Sequence, residues 1–310
     1  MQKIALGASD LCSSRLAYGC WRLARAGIEA TDAATTRRAV FAAVDAGYTL
    51  FDHADIYCNG RAEAAFGQLI HETPALRSQL LVATKCGIRF AGDGDPHSPY
   101  RYDSSAQHII GSVDASLARL RVERIDLFQL HRPDWLMDAA EVAEAFAKVH
   151  RAGKVRAFGV SNFRPSQITL LQQACAQPLL VNQVEISLLQ LAPFEDGTLD
   201  QCQAQKLTPL AWSPLGAGLL ADGAVDLLPG QMSYRPAAVL AALDAVALRR
   251  GSTRMAVALA WLLTHPSGIV PIIGSSDPAR IRAAAAAADL HLSREEWSQL
   301  LTAARGTALA

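Results

Sequence analysis

Short apolar runs bounded by turn residues alternate along this chain with longer segments whose apolar positions recur at helical spacing. The runs predict strands at 16–19, 48–53, 80–86, 125–131, 157–161, 180–185, 209–213 and 269–274. Between and after them the helical spacing predicts helices at 33–46, 62–71, 106–120, 139–152, 165–173, 198–205, 237–249, 255–265 and 278–288. A hairpin pairing 4–6 with 15–18 is expected at the start, and an extra helix at 293–304 near the end. Thr31, Ser104 and Ser293 are expected helix N-caps, with Glu296 completing a capping box at the last. Strands that alternate with helices in this way point to a closed parallel (β/α)8 TIM barrel rather than an open sheet. The barrel carries an N-terminal β-hairpin and extra C-terminal helices, and the reading is one domain over 1–310.

Side chains alternate across a strand, so residues of one parity share a face. Leu50 and Asp52 share one, as do Leu81, Ala83 and Lys85, and as do Leu127, Gln129 and His131. The polar members therefore point inward with apolar fillers, at the carboxyl ends where barrel active sites form. Adjacent parallel strands lie about 4.8 Å apart, so Asp52, Lys85 and His131 can converge, with Tyr57 just past the second strand. A phenol, an ammonium, an imidazole and a carboxylate make a proton-transfer site without an obvious nucleophile. The tyrosine could donate a proton to a carbonyl oxygen, but a free phenol has a pKa of about 10. The charge of Lys85 would lower that value, and Asp52 would hold Lys85 in place. His131 could hydrogen-bond the substrate carbonyl. The bland alternative is a buried Asp–Lys pair beside a core tyrosine and a satisfied histidine.

Composition removes several alternatives. Of 310 residues, 51% are hydrophobic, enough for a large core. Basic and acidic residues balance at 29 each, so neither nucleic acid nor an anionic membrane is expected as partner. Six cysteines show no C-x-x-C pair, which suits reduced thiols in a cytoplasmic enzyme. The longest apolar stretch, 255–263, falls short of the ~20 residues a spanning helix needs, and no secretory signal is seen. The expected partner is a small-molecule carbonyl compound, and the expected state a monomer.

The segments FDHADIY (51–57), ATKCG (83–87), IDLFQLHRPD (125–134), GVSNF (159–163) and VNQVEIS (181–187) occur in this order. Together they resemble the successive signatures of the aldo-keto reductases, over about 16–288. The wording of DHADIY and HRPD is closest to bacterial members of that family. The resemblance implies a (β/α)8 barrel that reduces aldehydes and ketones with a nicotinamide cofactor, usually NADPH. It carries the family's catalytic tetrad onto Asp52, Tyr57, Lys85 and His131. It also implies a cofactor site. Ser161, Asn162 and Gln183 would hold the nicotinamide carboxamide, and Trp212 would stack on the ring. Ser213, Leu215 and Gly216 would approach the pyrophosphate. Gly19, Cys20 and Trp21 would border the nicotinamide and substrate pocket, so Trp21, Tyr57 and His131 would touch substrate. Gly274, Ser275, Ser276 and Arg280 match the segment that grips the adenosine 2′-phosphate, with Pro278 opening a helix toward it. The sequence departs from the family's pattern at Asp277, where several members carry a basic or neutral residue. It departs again at Ala283 and Ala284, which replace the Glu-Asn usual against the adenine.

Three other patterns lead nowhere comparable. Gly216-Ala217-Gly218-Leu219-Leu220-Ala221 fits a dinucleotide-binding fingerprint, but position 236, where its acidic partner would stand, is proline. His53, Asp55 and His131 could be read as metal ligands, yet His53 has the opposite strand parity, and no metal is expected. Cys58 and Cys86 adjoin Tyr57 and Lys85 and read as small buried hydrophobes rather than redox-sensitive thiols. Two functional readings compete with the reductase: a nicotinamide-binding regulatory subunit, and a metal-dependent hydrolase. The long loops 88–103 and 215–234 are expected to shape the substrate pocket.

Overall fold

The computed structural model describes residues 1–24, 33–222, 234 and 236–308. The expected cap Thr31 and most of the 215–234 loop lie outside the described residues. The chain opens with a hairpin of β1 (Lys3–Ala5) and β2 (Cys12–Ser14). Eight parallel strands then close into a barrel. They are β3 (Ala17–Gly19), β4 (Leu50–Asp52), β5 (Leu81–Cys86), β8 (Ile125–Leu130), β9 (Val155–Ser161), β10 (Leu179–Glu185), β11 (Thr208–Trp212) and β12 (Val270–Ile273). They neighbour one another in chain order, and β12 pairs with β3 through Ile272–Ala17 and Ile273–Tyr18 to shut the ring. A small antiparallel pair, β6 (Ile88–Arg89) and β7 (Arg101–Tyr102), stands inside the loop after β5.

The helices are α1 (Ala33–Asp45), α2 (Arg61–Glu72), α3 (Ala106–Leu120), α4 (Ala139–Arg151), α5 (Pro165–Ala174) and the one-turn α6 (Ala192–Glu195). There follow α7 (Thr198–Gln205), α8 (Pro236–Arg250), α9 (Arg254–Leu263), α10 (Pro278–Ala285) and α11 (Arg294–Arg305). Helix α4 shows why the sequence produced them. Val142, Ala145, Phe146 and Val149 form one buried stripe, and Asp138 caps the first turn through the amides of Ala140 and Glu141. That stripe packs on the sheet, where Phe146 stacks on Phe158 of β9 at 4.1 Å. Helix α9 is apolar all round because neighbours cover it on more than one side; its Trp261 stacks on Trp297 of α11 at 5.1 Å. No described helix is long and apolar enough to cross a membrane.

Two local expectations need correction. The second hairpin strand is Cys12–Ser14, whereas 15–18 runs on into β3. A search for apolar alternation passes over Cys-Ser-Ser. The two serines are nevertheless buried, and Ser14 exchanges hydrogen bonds with Thr49 while its hydroxyl donates to Leu16 O. The cap of α3 is Ser105, whose hydroxyl accepts from the His108 amide; Ser104 is buried one residue too early to do so. The capping box of Ser293 and Glu296 is present.

Candidate active site

Asp52 ends β4, Lys85 is the fifth residue of β5, and His131 directly follows β8, so all three stand at the carboxyl mouth of the barrel. Lys85 is wholly buried, and its Nζ donates to Asp52 Oδ2 at 2.7 Å and to His53 O at 2.7 Å. The same nitrogen lies 3.4 Å from the Tyr57 hydroxyl. The Tyr57 ring is edge-on to His131, with centroids 6.0 Å apart. Tyr57 reaches this place through a tight turn after β4 in which Cys58, Asn59 and Gly60 all have positive φ, 52°, 56° and 80°. Such a conformation suits glycine and, less well, asparagine; at Cys58 it costs about 1–3 kcal/mol. The fold holds that strain next to the phenol.

Electrostatics sets the protonation states. Burial works against the Lys85 ammonium, but the Asp52 charge and the hydrogen bonds to Asp52 and Tyr57 outweigh it and hold its pKa above the ordinary value. Burial also raises the Tyr57 phenol above its usual range, against the lowering effect of the Lys85 charge. The expected net lowering is therefore corrected: Lys85 pulls in the anticipated direction, and desolvation prevails. His131 is pushed well below its usual value by burial, then by the positive charges of Lys85 and Arg132, so its imidazole is neutral near pH 7. The assembly is a charged ammonium–carboxylate pair beside a protonated phenol and a neutral imidazole.

The residues expected around a nicotinamide stand on neighbouring strand ends. Gln183 of β10 donates to Asp52 Oδ1 at 2.9 Å, and Ser161 of β9 donates to Gln183 O at 2.8 Å. Asn162 donates to Ser161 Oγ at 2.8 Å and to His131 O at 3.2 Å, and accepts from Trp212 Nε1 at 3.1 Å. Asn162 and Ser213 both have positive φ, 62° and 48°, which aims their side chains off the strand ends. One hydroxyl and two side-chain amides make a donor and acceptor set that fits a carboxamide. Leu215 and Gly216 enter a short 3-10 turn, Gly216–Gly218, which is not the strand-to-helix turn of a dinucleotide fingerprint.

Gly19 and Gly274 lie side by side; a Cβ on Gly19 would come 2.9 Å from Ile272 Cγ2 and 3.7 Å from the Gly274 Cα. Cys20 is buried and its thiol is pushed up by burial, so it is an unreactive filler there. Trp21 is 61% exposed, with its ring 6.2 Å from Tyr57. The segment after β12 is tied to this rim: Tyr18 donates to Ser275 O and Arg22 to Gly274 O. Ser275 Oγ accepts from the Asp277 amide, and Ser276 is half-buried beside it. Arg280 is exposed at the first turn of α10, with Nε 3.8 Å from Asp277 Oδ2. Asp277 Oδ1 itself caps that helix at the Ala279 amide. A carboxylate thus shares the place where a phosphate was expected, which lessens its fit to a second anion.

His53 turns to the helix layer, its ring 4.6 Å from Phe66, and burial lowers its pKa to about 3. Among the described residues no group of three or more His, Cys, Asp or Glu side chains gathers as metal ligands do. Cys86 is buried as expected, whereas Cys58 is half-buried and donates to Ala24 O at 3.3 Å. Two charged residues at the mouth escaped the sequence reading. Arg132 directly follows His131, and Glu185 ends β10 two residues after Gln183. Glu185 shares the strand parity of Gln183, so a signal for it was available.

Residues 15–304 match the model of the Aldo/keto reductase family. The chain is 44% identical to a 6-dehydroglucose reductase of Novosphingobium aromaticivorans, covering 98% of this chain and 96% of the relative. It is 40% identical, over 100% of both chains, to a protein of the same name from Agrobacterium fabrum. Among solved structures, a glycerol dehydrogenase from Gluconobacter oxydans superposes with a TM-score of 0.86 at 28% identity, covering 99% of this chain and 97% of that one.

Proposed function

Because the chain belongs to the aldo/keto reductase family, we propose that it reduces an aldehyde or ketone to an alcohol with NADPH, Tyr57 acting as the general acid. The observation that carries this reading is the contact of a wholly buried ammonium with both a carboxylate and a phenol at the barrel mouth. A bound reduced nicotinamide supplies the hydride that a carbonyl carbon accepts. Ser161, Asn162 and Gln183 orient its carboxamide, and Trp212 packs its ring. Gly19, Cys20 and Trp21 line one side, while Ser213, Leu215, Gly216, Gly274, Ser275, Ser276 and Arg280 take the phosphate-bearing remainder.

The protein's own part is positional and protonic. His131, neutral and buried, donates a hydrogen bond to the substrate oxygen and sets the carbonyl against Tyr57. The phenol gives its proton to that oxygen as negative charge develops there. The Lys85 ammonium, fixed by Asp52, stabilises the phenolate left behind. No group needs to form a bond to substrate carbon. The relatives named 6-dehydroglucose reductases support an aldehyde on a sugar as the first substrate to try. The reading includes a cytoplasmic, single-domain monomer, and light scattering on the purified protein checks the last of these. Mixing the protein with NADPH and 4-nitrobenzaldehyde and following absorbance at the nicotinamide band tests the activity. Failure with that aldehyde and with a panel of sugar aldehydes, ketones and quinones would sink it.

A further inference from the structure

The two charged residues at the mouth bear on the substrate class, a role that rests on the reductase reading. Arg132 is half-buried, with its guanidinium carbon 5.8 Å from the centre of the Trp212 ring. Among the described residues it makes no hydrogen bond and no ion pair. Its five N–H donors are therefore held against an aromatic surface with no acceptor among the described residues. Glu185 is the direct strand partner of Trp212 across β10 and β11. It is half-buried as well, and one of its oxygens accepts from the Tyr234 hydroxyl at 3.0 Å. A cation and an anion thus flank one indole beside His131 without pairing with each other.

A partly desolvated guanidinium with no acceptor among the described residues is costly, and Glu185 has further acceptor capacity beyond its Tyr234 bond. Such an arrangement favours a ligand that supplies oxygens to the one and hydroxyls to the other. A guanidinium fork matches two adjacent oxygens, and a carboxylate accepts from hydroxyl groups. We propose that Arg132 and Glu185 together grip neighbouring hydroxyls of a neutral polyhydroxylated aldehyde and hold its carbonyl at Tyr57 and His131. The sign of the charges decides against an anionic substrate. The carboxylate of Glu185 offsets the guanidinium; burial raises its pKa, against the lowering effects first of the Tyr234 hydrogen bond and then of the Arg132 charge. A phosphate or carboxylate placed between them would be repelled by one as it is attracted by the other. The exposed face of Trp21 offers an apolar surface for the C–H side of such a chain.

The test compares propanal, glyceraldehyde and glyceraldehyde 3-phosphate as substrates of the wild type, Arg132→Met, Arg132→Lys and Glu185→Gln, by NADPH consumption. The wild type is expected to prefer glyceraldehyde to propanal in kcat/KM. Arg132→Met and Glu185→Gln should each cut that preference at least tenfold, chiefly through KM, and Arg132→Lys should restore part of it. An unchanged preference, or an equal loss on both aldehydes, would overturn the hydroxyl grip and leave the reductase reading standing. Preference for the phosphorylated aldehyde, lost in Arg132→Met and gained in Glu185→Gln, would replace it with an anion site. A wild type inert with every aldehyde would overturn both readings together.

Discussion

The two ends of the barrel are built from the same inward-facing positions of the same strands, and they hold opposite chemistry. At the floor, Leu6 and Leu11 of the hairpin segment pack with Ala17, Leu50, Ala83, Leu127, Leu210 and Val270 in one apolar cluster. The Gly7 amide donates to Thr208 at the start of β11, and a Cβ on Gly7 would fall 2.9 Å from the Leu180 backbone, so the plug sits tight against the strand starts. Two residues further along β4 and β5 the fillers Leu50 and Ala83 give way to Asp52 and Lys85, and the neighbouring β9 and β10 present Ser161 and Gln183 at the same end. The floor is held by apolar burial and a few neutral hydrogen bonds, with no charge in the cluster. The mouth holds its wholly buried charges, Lys85 and Asp52, only because they pair with each other. Stability and chemistry are thereby separated along one axis, and substitutions at the two ends are expected to fail differently.

The largest expected effect is at the mouth. Tyr57→Phe should lower kcat by roughly 10²–10⁴-fold while nucleotide binding, read by fluorescence titration, persists, since only a proton donor is lost. A near-normal rate would remove Tyr57 from the acid's role and blur the comparison. At the floor, Leu127→Ala should cost about 2–5 kcal/mol of stability in a denaturant titration. Turnover of a good substrate below the unfolding transition should stay near that of the wild type. A matching loss of kcat would mean that the floor shapes the site after all.

A third substitution tests how the mouth tolerates its buried acids. Asp55, shielded behind the Tyr57 turn, is raised from 3.8 to about 7, first by burial and then by the charge of Glu63. The folded protein therefore keeps a proton on Asp55 that the unfolded chain has already released between those two values. Stability from this group is full below 3.8 and is lost as pH rises to about 7. Asp55→Asn should remove that slope and gain on the order of 2–4 kcal/mol at pH 8 relative to pH 4. Parallel stability–pH curves for variant and wild type would show that Asp55 does not titrate so. The smallest effect belongs to the outer rim: Asp277→Asn keeps a helix cap but removes the charge beside Arg280. The NADPH-over-NADH ratio of kcat/KM should rise several-fold, as suits an exposed pair worth about 1 kcal/mol or less. No change would place the nucleotide's outer phosphate elsewhere.

Much of the fold is legible because its signals are local. Helices α3 and α7 fall on the boundaries expected from spacing, and all the barrel strands lie where expected, with ends shifted slightly. The parity of Asp52, Lys85 and His131 places them inward without knowledge of any contact. The hairpin register escapes a pattern search because Cys12, Ser13 and Ser14 look polar, and only their burial against the strand starts makes them a strand. The net direction of the Tyr57 shift escapes as well, because desolvation depends on everything that surrounds a group, not on its nearest charge.

By itself, then, the sequence determined where the barrel strands and their main helices lie, which face those strands turn inward, and that Asp52, Lys85 and His131 stand at strand ends. Those properties follow from periods of 2 and 3.6 residues, which are set within a single element. The tertiary structure decided that Lys85 touches both Asp52 and Tyr57, that Arg132 lies over Trp212, and that Glu185 stands beside it. The first and last of these need neighbouring strands to pair, and Arg132 reaches Trp212 only because the curved sheet brings the ends of β8 and β11 to one mouth, a shape completed where β12 meets β3.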